Sequence, residues 1–269
     1  MAEEFIFDAE CKIIRDLAHH VRNTLGGGWN EEAYHQAMVL ALDKGGVPII
    51  SKERRSLVYH GAEIHTFEPD IIAWDKIVLE LKVQPQVTRI QSAHLAQVLP
   101  YLKFFNKQLG VLMNFGPAKF WMKRIIYEPL DWMKDEDYRY WEGLISAEDR
   151  IILAQIRAVI FRVARQFGMG YSESIYRKLL TLELENAGIP CLVDTNIPAK
   201  WDQKTIHTQS THHLLVANRY LLHVRALIGH PSRYDFFSTK TYLSALGLKF
   251  GLIANFHSEY LQLKGVIAS

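Results

Sequence analysis

Two tandem α/β domains of like design are predicted for this 269-residue chain by three observations. Gly28-Trp29-Asn30-Glu31-Glu32-Ala33-Tyr34 returns as Gly170-Tyr171-Ser172-Glu173-Ser174-Ile175-Tyr176, a G-x-x-E-x-x-Y pattern displaced by 142 positions. Tyr101-Leu102 and Asn114-Phe115 return as Tyr242-Leu243 and Asn255-Phe256, displaced by 141. Helical and extended hydrophobic patterns follow one another in the same order in both halves. A period well above that of solenoid units means two complete domains made by duplication. The expected domains are 1–145 and 146–269, with the boundary near residue 146.

Each element has a local reason. Ile13, Ile14, Leu17, Ala18, Val21 and Leu25 recur at helical spacing, which predicts a helix from Asp8 to Leu25 that Gly26-Gly27-Gly28 stops. A second helix is expected from Glu31 to Lys44, ended by Gly45-Gly46. Val47 to Tyr59 reads as extended, with His60-Gly61 turning the chain into a returning segment through Ala73. Ile77 to Lys82 is the third strand, Ala93 to Phe105 a helix, and Leu109 to Asn114 and Phe120 to Tyr127 two more strands. In the second half, Ser146 with Asp149 three residues on fits a helix cap, and helices are expected over 147–167 and 173–187. Strands are expected over 191–200, 212–217 and 220–226, then a helix over 236–246 and a strand over 249–255. The linking stretch 128–144 carries Trp132, Tyr138, Tyr140 and Trp141, aromatic enough to predict a packed connector and not a tether.

Composition excludes several classes. No apolar run approaches the roughly 18 residues of a membrane span, and the start of the chain has no basic stretch ahead of an apolar one. A cytoplasmic protein without membrane partners is therefore expected. Cys11 and Cys191, the two cysteines, sit at unrelated places in the repeats, so neither a disulfide framework nor a cysteine zinc site is indicated. The net charge of +2 conceals an asymmetry: residues 1–145 carry −3, whereas residues 146–269 carry +5 and six histidines. A basic half can hold a phosphate backbone by charge attraction without chemistry of its own. An ordinary solvated surface is the alternative.

The first half carries the chemistry. Side chains alternate along a strand, so Glu80 and Lys82 leave one face and Leu79 and Leu81 the other. A turn centred near Asp75 sets Asp70 opposite Glu80, bringing two carboxylates and an ammonium together. Such acids repel unless a cation is shared, and hard oxygen ligands suit Mg²⁺ or Mn²⁺. An ammonium beside that cation can orient or deprotonate a water and stabilise charge developing on a phosphoryl group. Taken alone, the D-x9-E-x-K spacing is equally that of a surface salt bridge.

With Pro69-Asp70 and Glu80-Leu81-Lys82 set between Glu31 upstream and Gln97-Val98-Leu99-Pro100-Tyr101 downstream, residues 8–127 resemble the PD-(D/E)XK nuclease superfamily, and within it the GxxExxY family of small bacterial proteins. The resemblance implies restriction-endonuclease-like domains, each a central mixed β-sheet flanked by helices. It implies Asp70 and Glu80 as metal ligands, Lys82 as the catalytic lysine, Glu31 as the helix glutamate completing the metal site, and Gln97 and Tyr101 as the Q-x-x-x-Y element. His94, one turn before Gln97, is a candidate structural or substrate contact. Gly28 is expected to permit the turn between helices, and Tyr34 to be a core-edge residue.

Residues 150–256 resemble the same family, yet Asp70 corresponds to His213, Glu80 to His223, Lys82 to Arg225 and Gln97 to Ser238. Glu173 and Tyr242 persist. Two readings of this second site stand: a His/His/carboxylate set for zinc or iron, or a neutral-to-positive pocket that tolerates an anion. The function expected for the whole is a Mg²⁺- or Mn²⁺-dependent nuclease acting on DNA ahead of RNA, catalytic in its first copy and binding or bracing in its second. The halves would form an intramolecular pseudo-dimer, with further self-association left open. The alternative is a non-catalytic nucleic-acid- or protein-binding scaffold, because fold does not by itself assign activity.

Overall fold

The computed structural model describes residues 6–84, 92–128, 131–138, 141, 143–227, 229–256 and 259–268; within the helix that begins at Ser92, side chains are described from Gln97 onward. Tyr140 and the side chain of His94 therefore lie outside the described residues. The chain divides into two compact units, Met1–Pro129 and Leu130–Ser269.

In the first unit, helices α1 (Asp8–Leu25) and α2 (Glu31–Lys44) precede strands β1 (Ile49–Ser51), β2 (Arg55–Tyr59), β3 (Ala62–Phe67), β4 (Ile71–Ala73) and β5 (Ile77–Lys82). Then come α3 (Ser92–Phe104), β6 (Leu109–Asn114) and β7 (Trp121–Ile126). Five strands form a sheet in the order β1-β4-β5-β6-β7, and β2 pairs with β3 in a separate hairpin. The two long extended segments expected around His60-Gly61 are thus each divided. Their outer parts serve the sheet, while their inner parts make the hairpin. β5 and β6 run parallel and α3 crosses between them, whereas the other neighbours in the sheet are antiparallel.

Both faces of the sheet are covered. Ile77, Leu79 and Leu81 of β5 join Leu109, Val111 and Met113 of β6 in a core with Ile14, Ala18 and Val21 of α1 and Tyr34, Met38 and Leu42 of α2. The opposite face, bearing Val78, Glu80 and Gly110, lies under α3. A Cβ placed on Gly110 would come within 2.5 Å of Val98 on that helix, so glycine is what lets α3 approach β6 closely.

The residues common to both copies hold the framework. Gly28 and Gly170 have φ of 93° and 104°, a conformation that glycine adopts without steric cost, at the turn between the paired helices. Tyr34 is wholly buried; its hydroxyl donates to the Gly26 carbonyl at 2.7 Å and its ring stacks on Phe115 at 4.8 Å. Tyr176 repeats this with Gly168 at 2.7 Å and Phe256 at 4.0 Å. Asn114 Oδ1 accepts from the backbone N–H groups of Gln84 and Gly116, and Asn255 Oδ1 accepts from Leu227. These two asparagines cap the chain where it leaves β5 and its counterpart.

The second unit contains β8 (Met133–Asp137), α4 (Ala147–Phe167), α5 (Glu173–Asn186), β9 (Cys191–Leu192), β10 (Asn196–Trp201), β11 (Lys204–Ser210), β12 (Leu214–Val216) and β13 (Tyr220–Arg225). It ends with α6 (Arg233–Leu246), β14 (Phe250–Phe256) and β15 (Tyr260–Ile267). Its sheet order is β8-β15-β14-β13-β12-β9, beside a β10-β11 hairpin. Apart from β8, this reproduces the first sheet strand for strand. The division between units falls ahead of the expected boundary near 146, because β8 pairs in parallel with β15 and so belongs to the second sheet. Trp141, almost fully buried, packs on Phe250 at 5.0 Å and Tyr220 at 6.3 Å, and Trp132 lies 6.1 Å from Phe161, so these two rings of the stretch are packed parts of this unit.

Among the described residues no helix is long and apolar enough to cross a membrane. Both cysteines are free.

Candidate active site

The register Ile71↔Leu79, Ile72↔Val78 and Ala73↔Ile77 places position 70, one step beyond the ladder, opposite position 80. Asp70 is fixed there by its own backbone and side chain. Its carbonyl accepts from Lys52 N at 3.0 Å, and its Oδ2 accepts from Leu81 N at 2.7 Å. Glu80 is 3% exposed, and its Oε1 accepts from Lys82 Nζ at 2.8 Å and from Gln97 Nε2 at 2.6 Å. Its other oxygen, Oε2, is buried with no hydrogen-bond partner. A buried carboxylate oxygen left without a donor costs on the order of 1–3 kcal/mol, and more when charged, unless a cation or water takes it up.

Electrostatics tell the same story. Burial and then the Asp70 charge push the Glu80 carboxyl up to about 7, against the pull of Lys82. Burial also raises Glu31, although Lys82 opposes it. For Lys82 burial is the largest single influence and disfavours the charge, but Glu80, Glu31 and Asp70 together outweigh it and leave its pKa raised. The lysine is therefore an ammonium at neutral pH. Tyr101 is pushed up to about 12 by burial and by the acids, Glu80 foremost, so its hydroxyl keeps its proton.

All six residues expected at this site converge. Lys82 touches Glu80 and lies 3.7 Å from Glu31. Gln97 reaches Glu80 from α3, and Tyr101 follows one turn later on the same helix. Glu31 stands against the ammonium. Among the described residues no three His, Cys, Asp or Glu side chains are grouped as a metal cage. A divalent ion with hard-ligand preferences does not need one, since Mg²⁺ is commonly held by one or two carboxylates and completes its shell with water and phosphate oxygens. The unpartnered Glu80 Oε2, beside the Asp70 charge that raises it, fits such an ion.

One residue of the site escaped the sequence. His35, on α2 and one turn beyond Glu31, is buried; its Nε2 lies 3.1 Å from both the Asp70 carbonyl and Ser51 Oγ. It holds the Asp70 backbone in place. The i, i+4 relation to Glu31 was the available signal, but one histidine on a helix forms no pattern.

In the second copy the register Leu214↔Leu222 likewise sets His213 opposite His223. Their rings lie 4.1 Å apart, Tyr242 meets His213 edge-on at 5.2 Å, and His223 Nδ1 is 3.1 Å from Thr239 Oγ1. Neither ring nitrogen of His213 has a hydrogen-bond partner. Burial, then the neighbouring His223 and Arg225, lowers His213 to about 3; burial and Arg225 lower His223 to about 4. Both are neutral at physiological pH. Arg225 is committed to Glu173 at 2.9 Å and to Asp235 at 3.2 Å. Two acids, Glu173 and Asp235, thus share this one cation. Among the described residues the expected His/His/carboxylate set is not assembled: Glu173 is turned to Arg225.

A family profile described as the PD-(D/E)XK nuclease superfamily matches residues 8–125 and, separately, residues 150–266. No curated protein matches the chain. A solved structure described as "Crystal structure of SSO0001" is 21% identical with a TM-score of 0.31; the match covers 46% of this chain and 62% of that one, so it spans less than two thirds of that protein.

Proposed function

We propose, from the premise that this chain belongs to the PD-(D/E)XK nuclease superfamily, that its first copy is a metal-dependent nuclease hydrolysing phosphodiester bonds in DNA. The observation that carries this reading is the buried Glu80, with one oxygen held by Lys82 and Gln97 and the other left for a cation. Asp70 and Glu80 would hold Mg²⁺ or Mn²⁺, and Glu31 would complete the set. The ion, when bound, supplies positive charge to the phosphoryl oxygens and lowers the pKa of coordinated water.

The chain's own residues do the remainder. Lys82, protonated and fixed between Glu80 and Glu31, donates a hydrogen bond to the phosphoryl group or the attacking water, where charge develops as the bond breaks. Gln97 keeps Glu80 in its rotamer. Tyr101 offers a neutral hydroxyl donor at the same edge. His35 and Lys52 hold the Asp70 backbone, so the carboxylate is positioned before substrate arrives. The second copy lacks both acids and the lysine, and in this reading it binds or braces.

One intact site predicts one cut strand per encounter. Supercoiled plasmid incubated with the protein in Mg²⁺ or Mn²⁺ is expected to accumulate as open circles before any linear form. Labelled single- and double-stranded DNA and RNA in the same buffers rank the substrates. Failure to cleave any of them in either metal contradicts the proposal. Salt-dependent DNA binding that survives chelation and Asp70→Ala, without turnover, would instead favour the scaffold alternative.

A further inference from the structure

Far from the residues above in the sequence, the second unit has a concave surface of about 540 Å³ whose lining includes Lys134, Arg157, Ala158, Phe161, Arg162 and Arg165. Four of these are cations. We propose that this groove binds the phosphate backbone of nucleic acid, without reading bases.

The groove is built for a fixed anionic partner. Phe161 is its floor, 4% exposed, with Lys134 Nζ 4.9 Å and the Arg157 guanidinium 4.5 Å from the ring centroid. Arg157 is oriented by Glu136, which takes Nε at 2.6 Å and Nη2 at 2.7 Å; Arg162 is oriented by the buried Glu183 through Nη1 at 2.8 Å. A guanidinium has five N–H donors, so these ion pairs set the two groups in place and leave donors for a ligand. Among the described residues Lys134 and Arg165 have no acidic partner within ion-pair distance. Two acids against four cations leave the groove positive.

Its dimensions suit a strand of nucleic acid. Arg157 and Arg165 are eight residues apart on α4, which is about 12 Å along a helix. One strand rises about 3.4 Å along the duplex axis per phosphate, so a row of this length is longer than one phosphate step and meets a short stretch of backbone. Because Phe161 is buried, the surface offers no apolar opening for a lipid chain.

The duplication supplies an internal comparison. At the family spacing of 142, Arg157, Ala158, Phe161, Arg162 and Arg165 correspond to Arg15, Asp16, His19, His20 and Asn23. The first copy has one arginine there, beside an acid. The cationic row therefore belongs to the copy that has lost Asp70, Glu80 and Lys82, as a binding role for that copy requires.

The identity of the polymer rests on the nuclease reading, but the test separates the two. Binding of a short fluorescein-labelled DNA duplex to the full chain is measured by anisotropy in chelator, so that nothing is cut, over a range of salt. The Lys134→Gln/Arg165→Gln double variant is expected to lose about 1.8 from the slope of log K against log salt and at least about tenfold in affinity at low salt, the loss of two phosphate contacts. Ala158→Trp fills the groove without touching its charge, and it should weaken binding with its melting transition unchanged. If slope and affinity stay as in the parent for both variants, the groove assignment is wrong. Displacement of the duplex by polyglutamate at equal charge concentration would overturn it too, in favour of an acidic protein partner. A protein that never cleaves yet loses slope keeps the groove and loses the nuclease reading. One that cleaves with an unaltered slope does the reverse.

Discussion

Lys82→Ala is expected to slow phosphodiester cleavage by about 100- to 1000-fold, the usual cost of removing a preorganised donor from a site where charge develops. Lys82 is 15% exposed, 2.8 Å from Glu80 and 3.7 Å from Glu31, so no other cation among the described residues is placed to substitute for it. The substitution acts twice. It deletes the donor, and it removes the main counter-charge to Glu80, whose carboxyl burial and Asp70 already push up to about 7. Glu80 then titrates higher still and competes less well for a cation at neutral pH. Lys82→Arg should recover part of the rate, because charge returns while the planar guanidinium does not reproduce the position of an ammonium. Initial rates of plasmid nicking across a Mn²⁺ series check this. DNA affinity in chelator serves as the control and should fall far less than the rate, by no more than one lost phosphate contact. Equal rates for Lys82→Ala and the parent would remove the lysine from the mechanism.

Acid is expected to unfold the second unit selectively. His213 and His223 titrate at about 3 and about 4 in the folded chain, against 6.5 as the ordinary value. The groups acting on them are Arg225 on β13, His212, and Asp235, Thr239 and Tyr242 on α6, with Asp235 favouring protonation and Arg225 opposing it, while His223 and His212 also oppose protonation of His213. The folded pKa values are depressed, so the stability from burying neutral rings is complete above pH 6.5 and is lost as pH falls toward 4. Protons are then taken up by the unfolded state ahead of the folded one, so stability falls with each step of pH below 6.5 and falls more steeply once the unfolded rings are fully charged. Between pH 6.5 and 5 the loss is on the order of 3 kcal/mol, a sizeable share of the roughly 5–15 kcal/mol that holds a domain together. Hydrogen exchange resolved by peptide should show α5 and β13 losing protection as the pH is lowered over this range. His213→Phe retains the ring contact without the proton and should halve the slope. Protection that is constant or rises toward pH 5 contradicts this account of the pair.

The parts of the fold that the sequence made plain are those whose signals are local. The glycines after α1, Lys44 before Gly45, and Ser146 with Asp149 mark helix ends that the structure reproduces at Leu25, Lys44 and Ala147. Where tertiary pairing decides, local reading fell short. β8 is the acidic run Met-Lys-Asp-Glu-Asp, which has no strand propensity of its own. It is a strand because it lies parallel to β15 at the sheet edge, where Lys264 meets Asp135 at 2.7 Å and Arg157 meets Glu136. β11 and β15 are two further strands beyond those the sequence predicts. β11 is exposed along its whole length, so no alternation of apolar and polar residues marks it; β15 would have followed from copying β7 across the repeat. α6 begins at Arg233, ahead of the expected Phe236, since Ser232 and Asp235 form a capping box.

The site was legible for a different reason. The turn at Asp75 fixes which residues of β4 and β5 are opposite, and a period of two then selects Glu80 and Lys82. Burial of that polar face under α3 was not foreseeable from the strand alone. It matters, because burial is the largest influence raising Glu80, and its Oε2 is left without a hydrogen-bond partner. Comparison of the copies also sorts roles. What both retain, the Gly-Tyr latch and the Asn-Phe cap, is framework; what differs, Asp70, Glu80 and Lys82 against His213, His223 and Arg225, is site.

Crystals of the full chain soaked in Mn²⁺ and examined by anomalous diffraction would test the central claim most directly. The expected result is one strong peak within coordination distance of Asp70 and Glu80 Oε2, with none beside His213 and His223. Manganese absent from the first copy at millimolar concentration, or bound in the second copy in preference, would contradict the assignment of metal chemistry to Asp70, Glu80 and Lys82.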